Sequence, residues 1–330
     1  AGGDFFSAGN IQAPYVGRWG GHAWSRVGDA AISPVYMLRA LDTPDGSFLF
    51  AGGTFSLEGS SRNRSLARWN GESWSVVGSG IGLYGRPNDM TMIEVEGDHQ
   101  LLAAGTFTLA DDQDVNRVAR LENGSWQSLG PLGTHLNDFV STLEVFDDGT
   151  GPALYAGGAF TRAGSRPAER IARWDGSQWQ SIGDVHNGIV VGLLSYDDGN
   201  GPALYACGSF TGIGGVKADR IARWDGTQWS AVGGGFDKSV RCMTIFDDGG
   251  GPALYVGGSF RSINGVPVGH IARWNGEEWV DVGGGVKGFA VYTMTPFDDG
   301  SGVALYVGGA IAFAGNVPTT GLARWDGTSW

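Results

Sequence analysis

The chain repeats itself. A string of the form Ala/Val-Gly-Gly-x-Phe, or a close variant, begins at Ala1, Ala51, Ala103, Ala156, Ala206, Val256 and Val307, in steps of 50, 52, 53, 50, 50 and 51 residues. Eighteen residues after each start stands Trp19, Trp69, Leu121, Trp174, Trp224, Trp274 or Trp325, and five residues later Trp24, Trp74, Trp126, Trp179, Trp229, Trp279 or Trp330. All thirteen Trp are therefore repeat residues, with Leu121 in the one vacant place. A period of this length restricts the chain to architectures in which each repeat is one supersecondary unit that buries its apolar face against its neighbours.

Each repeat reads as four strands, A to D. In the fifth, strand A is the apolar run Gly188 to Tyr196, and Asp197-Asp198-Gly199-Asn200-Gly201 has turn composition. Strand B follows from Pro202 to Phe210, then a loop from Gly212 to Asp219, then strand C from Arg220 to Trp224. Asp225-Gly226 is a hairpin turn signal, leading to strand D from Gln228 to Val232. The 59 glycines are spread along the chain, which suits many turns and disfavours long helices.

Seven units of about 50 residues with glycine punctuation predict an all-β fold, a seven-bladed β-propeller of four-stranded antiparallel blades. Residues 1–330 are expected to form a single propeller domain with strand A innermost. The chain opens inside a strand B and stops as a strand D begins, so one blade region is expected to be incomplete at the termini, and the chain reads as a fragment of a longer protein.

The motifs resemble kelch-type repeats, in which a Gly-Gly pair closes the second strand, an aromatic follows, and a Trp begins the fourth. Here these are Gly257-Gly258, Trp274 and Trp279 in one unit and Gly157-Gly158, Trp174 and Trp179 in another, with Arg-Trp where kelch usually has Tyr. Leu254 to Phe260 and Ile271 to Gly276 are similar to the kelch-like repeats of fungal cortical polarity-marker proteins and bacterial cell-surface propellers. The resemblance covers the whole chain and implies a fold more strongly than a function.

Composition removes several function classes. The formal charge is −12, with only three Lys beside nineteen Arg, so a nucleic-acid partner is not expected. No apolar run reaches the length of a membrane span. The five His occupy unrelated repeat positions with no zinc-ligand spacing, no nucleophile elbow or phosphate loop occurs, and no metal or cofactor is expected. The turns at Asp147, Asp197, Asp247 and Asp298 place two carboxylates side by side, whereas calcium loops alternate them; they read as turn-forming Asp. The repeat-wide Arg residues, Arg18, Arg68, Arg120, Arg173, Arg223, Arg273 and Arg324, read as structural, with the head bonded to a carbonyl or carboxylate. Cys207 and Cys242 lie on adjacent strands, either bonded or free; two free buried thiols are the expectation.

Trp174, Trp224 and Trp274 are expected in the core, and the repeat with Leu121 is expected to pack less well. All length variation lies between the second Trp of one repeat and the next Gly-Gly string, where the D-to-A crossover runs. In an antiparallel blade the D–A and B–C connections share one end, and the A–B and C–D turns the other. The long crossovers Ser79 to Asp89 and Pro131 to Asp138, with the fourth crossover, nominate Tyr84, Arg86, His135, Asn137, Asp138, His186 and Asn187 as ligand-binding residues. The reading is a non-enzymatic extracellular or cell-surface binding scaffold with a protein or glycan partner. The alternatives are a carbohydrate-binding propeller and a hydrolase or lyase with a site over the central channel.

Overall fold

The computed structural model describes residues 1–29, 31–57, 64–78, 80–81, 85–95, 97–111, 113–131 and 133–330. The described residues are all-β, with no helix. They divide into two compact units: Ala1–Val145, Pro152–Ala168 and Arg173–Gln180 in one, Phe146–Gly151, Glu169–Ala172 and Ser181–Trp330 in the other.

The first unit holds two four-stranded antiparallel sheets. One runs Met37–Thr43, Gly46–Phe55, Arg64–Trp69, Trp74–Val76; the other Pro87–Val95, Asp98–Gly105, Val118–Glu122, Ser125–Ser128. A two-stranded sheet pairs Gly17–Trp19 with Trp24–Arg26. The second unit holds the sheets Val190–Asp197, Pro202–Gly208, Ile221–Trp224, Trp229–Ala231 and Val240–Asp247, Pro252–Gly258, Ile271–Trp274, Trp279–Asp281. In its last sheet Val303–Ala314 pairs with Val286–Asp298 and Leu322–Trp325. Val140–Asp147, Pro152–Gly158, Ile171–Trp174 and Trp179–Ser181 form one more sheet of the same order. The predicted A-B-C-D meander is thus present repeatedly, with strand ends within two residues of those read in the fifth repeat.

The B–C loops contain more order than the sequence suggested. Gly212–Ile213 pairs with Val216–Lys217, and Ser262–Ile263 with Val266–Pro267. The turn residues Asn264 and Gly265 have φ of 51° and 80°. Positive φ at both central positions makes a turn whose twist matches the strands it joins.

The five-residue spacing between the two Trp is the register of the C–D hairpin. Trp69 faces Trp74, Trp224 faces Trp229 and Trp274 faces Trp279 across the pair, with ring centroids 5.1 to 5.5 Å apart. Such cross-strand aromatic pairs are a unit of sheet stabilisation. The expected core residues Trp174 and Trp274 are buried, while Trp224 is half-buried. Trp126, opposite Leu121, is fully buried, and its indole donates to Val77 O at 2.9 Å.

One glycine per repeat makes this stacking feasible. Gly233 follows strand D with φ of 64°. A Cβ there would run into the rings of Trp274 and Trp279 of the next repeat. Gly28, Gly78 and Gly283 stand in the same relation to the next repeat's aromatic pair or its Leu-Trp variant.

Candidate functional site

At the A–B end of the sheets every Asp of the double-Asp turns has an assigned task. Asp197 Oδ1 accepts from the backbone N–H of Gly199 and Gly201 at 2.9 and 3.0 Å, and Asp247 does the same for Gly249 and Gly251 at 2.8 and 2.9 Å. The second Asp points back along the sheet. Tyr205 donates to Asp198 and Tyr255 to Asp248, each at 2.8 Å. Arg273 Nε lies 3.0 Å from Asp248, and Arg223 Nη2 donates to Gly201 O at 2.9 Å. These are structural carboxylates and structural arginines, as their periodicity suggests. Burial first, then the Asp248 hydrogen bond, raises the Tyr255 phenol well above its ordinary value. Among the described residues no group of three or more His, Cys, Asp or Glu is placed to hold a metal.

The seven nominated residues do not gather into one site. Tyr84 lies outside the described residues. Arg86 is exposed and stacks its guanidinium over the Tyr36 ring, 3.8 Å from the centroid. His135 has both ring nitrogens engaged: Asn116 Nδ2 is 3.0 Å from Nδ1, and Ser128 Oγ is 2.8 Å from Nε2. Since the amide of Asn116 donates, Nδ1 accepts and Nε2 carries the proton. The Ser128 hydroxyl in turn donates to Gly130 O at 2.7 Å. His135 is a loop brace.

Asn137 is a brace too. Its Oδ1 accepts from the backbone N–H of Thr161 and Arg162 at 2.9 and 3.0 Å, and Nδ2 donates to Thr161 Oγ1 at 3.2 Å. Asn187 Nδ2 donates to Thr211 Oγ1 at 3.0 Å, and Asp237 Oδ1 accepts from Arg261 N and Ser262 N at 2.8 and 3.1 Å. Positions 137, 187 and 237 are spaced by 50, so Asn137 and Asn187 are repeat residues that tie the D–A crossover to the B–C loop. Asp138 caps its own neighbour, accepting from Phe139 N at 2.7 Å. His186 is exposed, its carbonyl accepting from Thr211 N at 3.0 Å.

A different set of side chains lines a concavity of about 360 Å³ in the second unit: Ser209 and Arg220 from one sheet, Asp237, Lys238, Ser239, Ser259 and Arg261 from the next, and Phe289 from the last. Strand register puts them together. Val190 faces Gly208 and Cys207 faces Ile221, so Ser209 and Arg220 stand at one end of their sheet. Val240 faces Gly258, which places Ser239 and Ser259 at the corresponding end of the following sheet. That end carries the D–A and B–C connections.

The polar groups here are mostly donors. Ser209 Oγ accepts from Ile189 N at 3.1 Å, and Ser259 Oγ accepts from Arg241 Nε at 3.0 Å, so each hydroxyl proton is left to give. Arg220, with φ of 80°, spends Nη1 on Ser209 O and Phe210 O, both at 2.8 Å. Lys238 and Arg261 are exposed, and among the described residues neither forms an ion pair. Asp237, the one carboxylate in the lining, has an oxygen held by two backbone N–H groups. His270, in the position Arg220 holds one repeat earlier, is buried; burial first and the Arg261 charge second push its pKa down. The ring of Phe289 is 65% exposed at the rim.

Sequence reasoning missed this set for identifiable reasons. Ser209 and Ser259 are the variable residue of the Gly-Gly string, and they read as filler. Lys238 is one of three Lys in an acidic chain, which was the usable signal.

Cys207 is buried and Cys242 half-buried, and both thiols are free. No protein-family model matches the chain, and no curated protein matches it.

Proposed function

We propose that this chain is a seven-bladed, kelch-like β-propeller that works as a non-enzymatic binding scaffold outside the cell or on its surface, and that it binds its protein or glycan partner at the D–A and B–C loop end. The observation that carries the reading is the donor-lined concavity from Ser209 to Phe289. Rigid sheets with loops at one end are a common way to hold binding groups in place. The A–B end offers a partner little, because its carboxylates and arginines are spent on one another and on the turn. His135 supports binding over catalysis, because both of its ring nitrogens are engaged by Asn116 and Ser128. The acidic, Lys-poor composition and the repeat resemblance support the surface location.

The test is a glycan and peptide array probed with the intact chain and two variants. One reverses charge at the loop end, Lys238→Glu with Arg261→Glu. The other changes the opposite end, Asn200→Ala with Thr227→Ala. Signals lost only in the loop-end variant are expected. Signals lost only in the other variant, or turnover of an arrayed substrate, would overturn the reading.

A further inference from the structure

Four cations stand at one loop end of the second unit: Arg220, Lys238 and Arg261 in the concavity and Arg241 against its Ser259 wall. The chain as a whole carries −12, so the cluster runs against the general charge. A site rich in donors and poor in free acceptors selects a ligand group that only accepts, and an oxyanion is such a group. Among the described residues Lys238 and Arg261 form no ion pair, and Asp237, the carboxylate of the lining, has one oxygen held by the backbone N–H groups of Arg261 and Ser262. An anion there gains two charge contacts without breaking an internal pair.

The rest of the lining sets the size and shape of what carries that oxyanion. About 360 Å³ is near the lower end of ligand pockets, which run from about 300 to 1,000 Å³. It suits one ring-sized unit. Phe289 turns an open aromatic face to the rim, and Tyr292 is also exposed, with the Arg241 guanidinium 5.6 Å from its ring centroid. A bare inorganic anion has no use for such a face. An extended peptide would look for an unpaired strand edge, and the concavity stands at strand ends.

We propose that this concavity binds the carboxylated sugar unit of an acidic polysaccharide, a uronic acid. Lys238 and Arg261 hold the carboxylate, the hydroxyl protons of Ser209 and Ser259 reach ring oxygens, and Phe289 covers the apolar face of the sugar ring. The proposal rests on the binding-scaffold reading above.

The test is calorimetric titration of the intact chain with trigalacturonate, its methyl ester, inorganic sulfate and hexaglutamate, at low and high salt. Trigalacturonate is expected to bind, and more weakly at high salt. The methyl ester is expected to bind about tenfold or more weakly, since a hydrogen bond to a charged partner is lost at each ester. Lys238→Gln and Arg261→Gln should each weaken trigalacturonate by about tenfold. Phe289→Ala should weaken trigalacturonate and leave any sulfate affinity unchanged. All three residues line an exposed site, so the variants fold, and circular dichroism checks this. No binding of trigalacturonate, equal binding of its ester, tighter binding of hexaglutamate, or indifference to all three substitutions would overturn the uronate assignment. If it falls while array signals still vanish in the charge-reversed loop-end variant, the scaffold reading stands and only the ligand class is wrong.

Discussion

The indole Nε1 of Trp279 donates to the carbonyl oxygen of Val232, forty-seven residues earlier, at 3.1 Å. Trp74 reaches Val27, Trp126 reaches Val77, Trp229 reaches Ile182 and Trp330 reaches Val282 in the same way, at 2.7 to 3.1 Å. The second Trp of a repeat is thus latched to the end of strand D in the repeat before it. Three of the first Trp differ: among the described residues, Nε1 of Trp19, Trp224 and Trp274 is buried without a hydrogen-bond partner.

The two positions should therefore respond differently to the same substitution. Trp279→Phe removes ring volume and a hydrogen bond, and leaves Val232 O unsatisfied. Trp224→Phe removes ring volume alone. Urea unfolding should show Trp279→Phe to be costlier, by about 1 kcal/mol, the net worth of one hydrogen bond. Trp274→Ala, which empties a buried site, should cost about 3–5 kcal/mol.

Gly233 and Gly276 separate backbone strain from steric conflict. Both have positive φ, 64° and 101°. A Cβ at Gly276 meets nothing within 4 Å, whereas at Gly233 it enters the Trp274 and Trp279 rings. Gly276→Ala should cost about 1–2 kcal/mol, the left-handed penalty alone. Gly233→Ala should cost clearly more, read as a larger fall in urea midpoint with an unchanged slope.

The C–D turns predict an acid dependence. Asp225 Oδ1 accepts from Gln228 N, Thr227 N and the Thr227 hydroxyl, and these bonds lower its carboxyl from 3.8 to about 2. At Asp175 burial is the largest single effect and pulls upward, but the hydrogen bonds from Gln178, Ser177 and Gln180 together outweigh it, leaving the group at about 2. A lowered folded value means stability is present above about pH 3.8 and is lost as pH falls through about 2. Asn70 and Asn275 fill the same turn position with an amide oxygen that accepts equivalent bonds and does not titrate. Asp225→Asn should leave the unfolding midpoint at pH 7 nearly unchanged and flatten the loss of stability between pH 4 and about pH 2.

The two thiols should be inert in the folded chain. Burial raises Cys242 to about 12 and Cys207 well above its ordinary value, where the neighbouring Cys242 adds to the effect. A buried thiol held protonated is a poor nucleophile. Ellman's reagent at pH 8 should find no fast-reacting thiol in the native chain and two in denaturant.

The sheets were legible from spacing because each strand is marked by its own turn and aromatic: the interval from Trp224 to Trp229 is the hairpin register itself. The pairing of Arg223 and Arg273 with turn groups was legible in kind, since a residue present in every repeat serves the repeat. The candidate binding residues were not. Asn137 and Asn187 look like loop variation until Asp237 is seen doing the same work one repeat on. The concavity draws on Ser209, Lys238 and Phe289, about thirty and fifty residues apart in sequence, and only strand register brings them to one sheet end. Periodicity reports what neighbouring repeats share, and it passes over Lys238 and Arg261, whose places hold Gly188 and Thr211 one repeat earlier.

The most direct test of the account is amide hydrogen exchange on the intact chain, with and without the strongest ligand the arrays return. Protection confined to segments around Ser209, Asp237 to Ser239 and Ser259 to Arg261 is the predicted result. Protection at the turns of Asp197 to Gly201 and Asp247 to Gly251, with those segments unchanged, would contradict it and move the binding surface to the opposite end of the sheets.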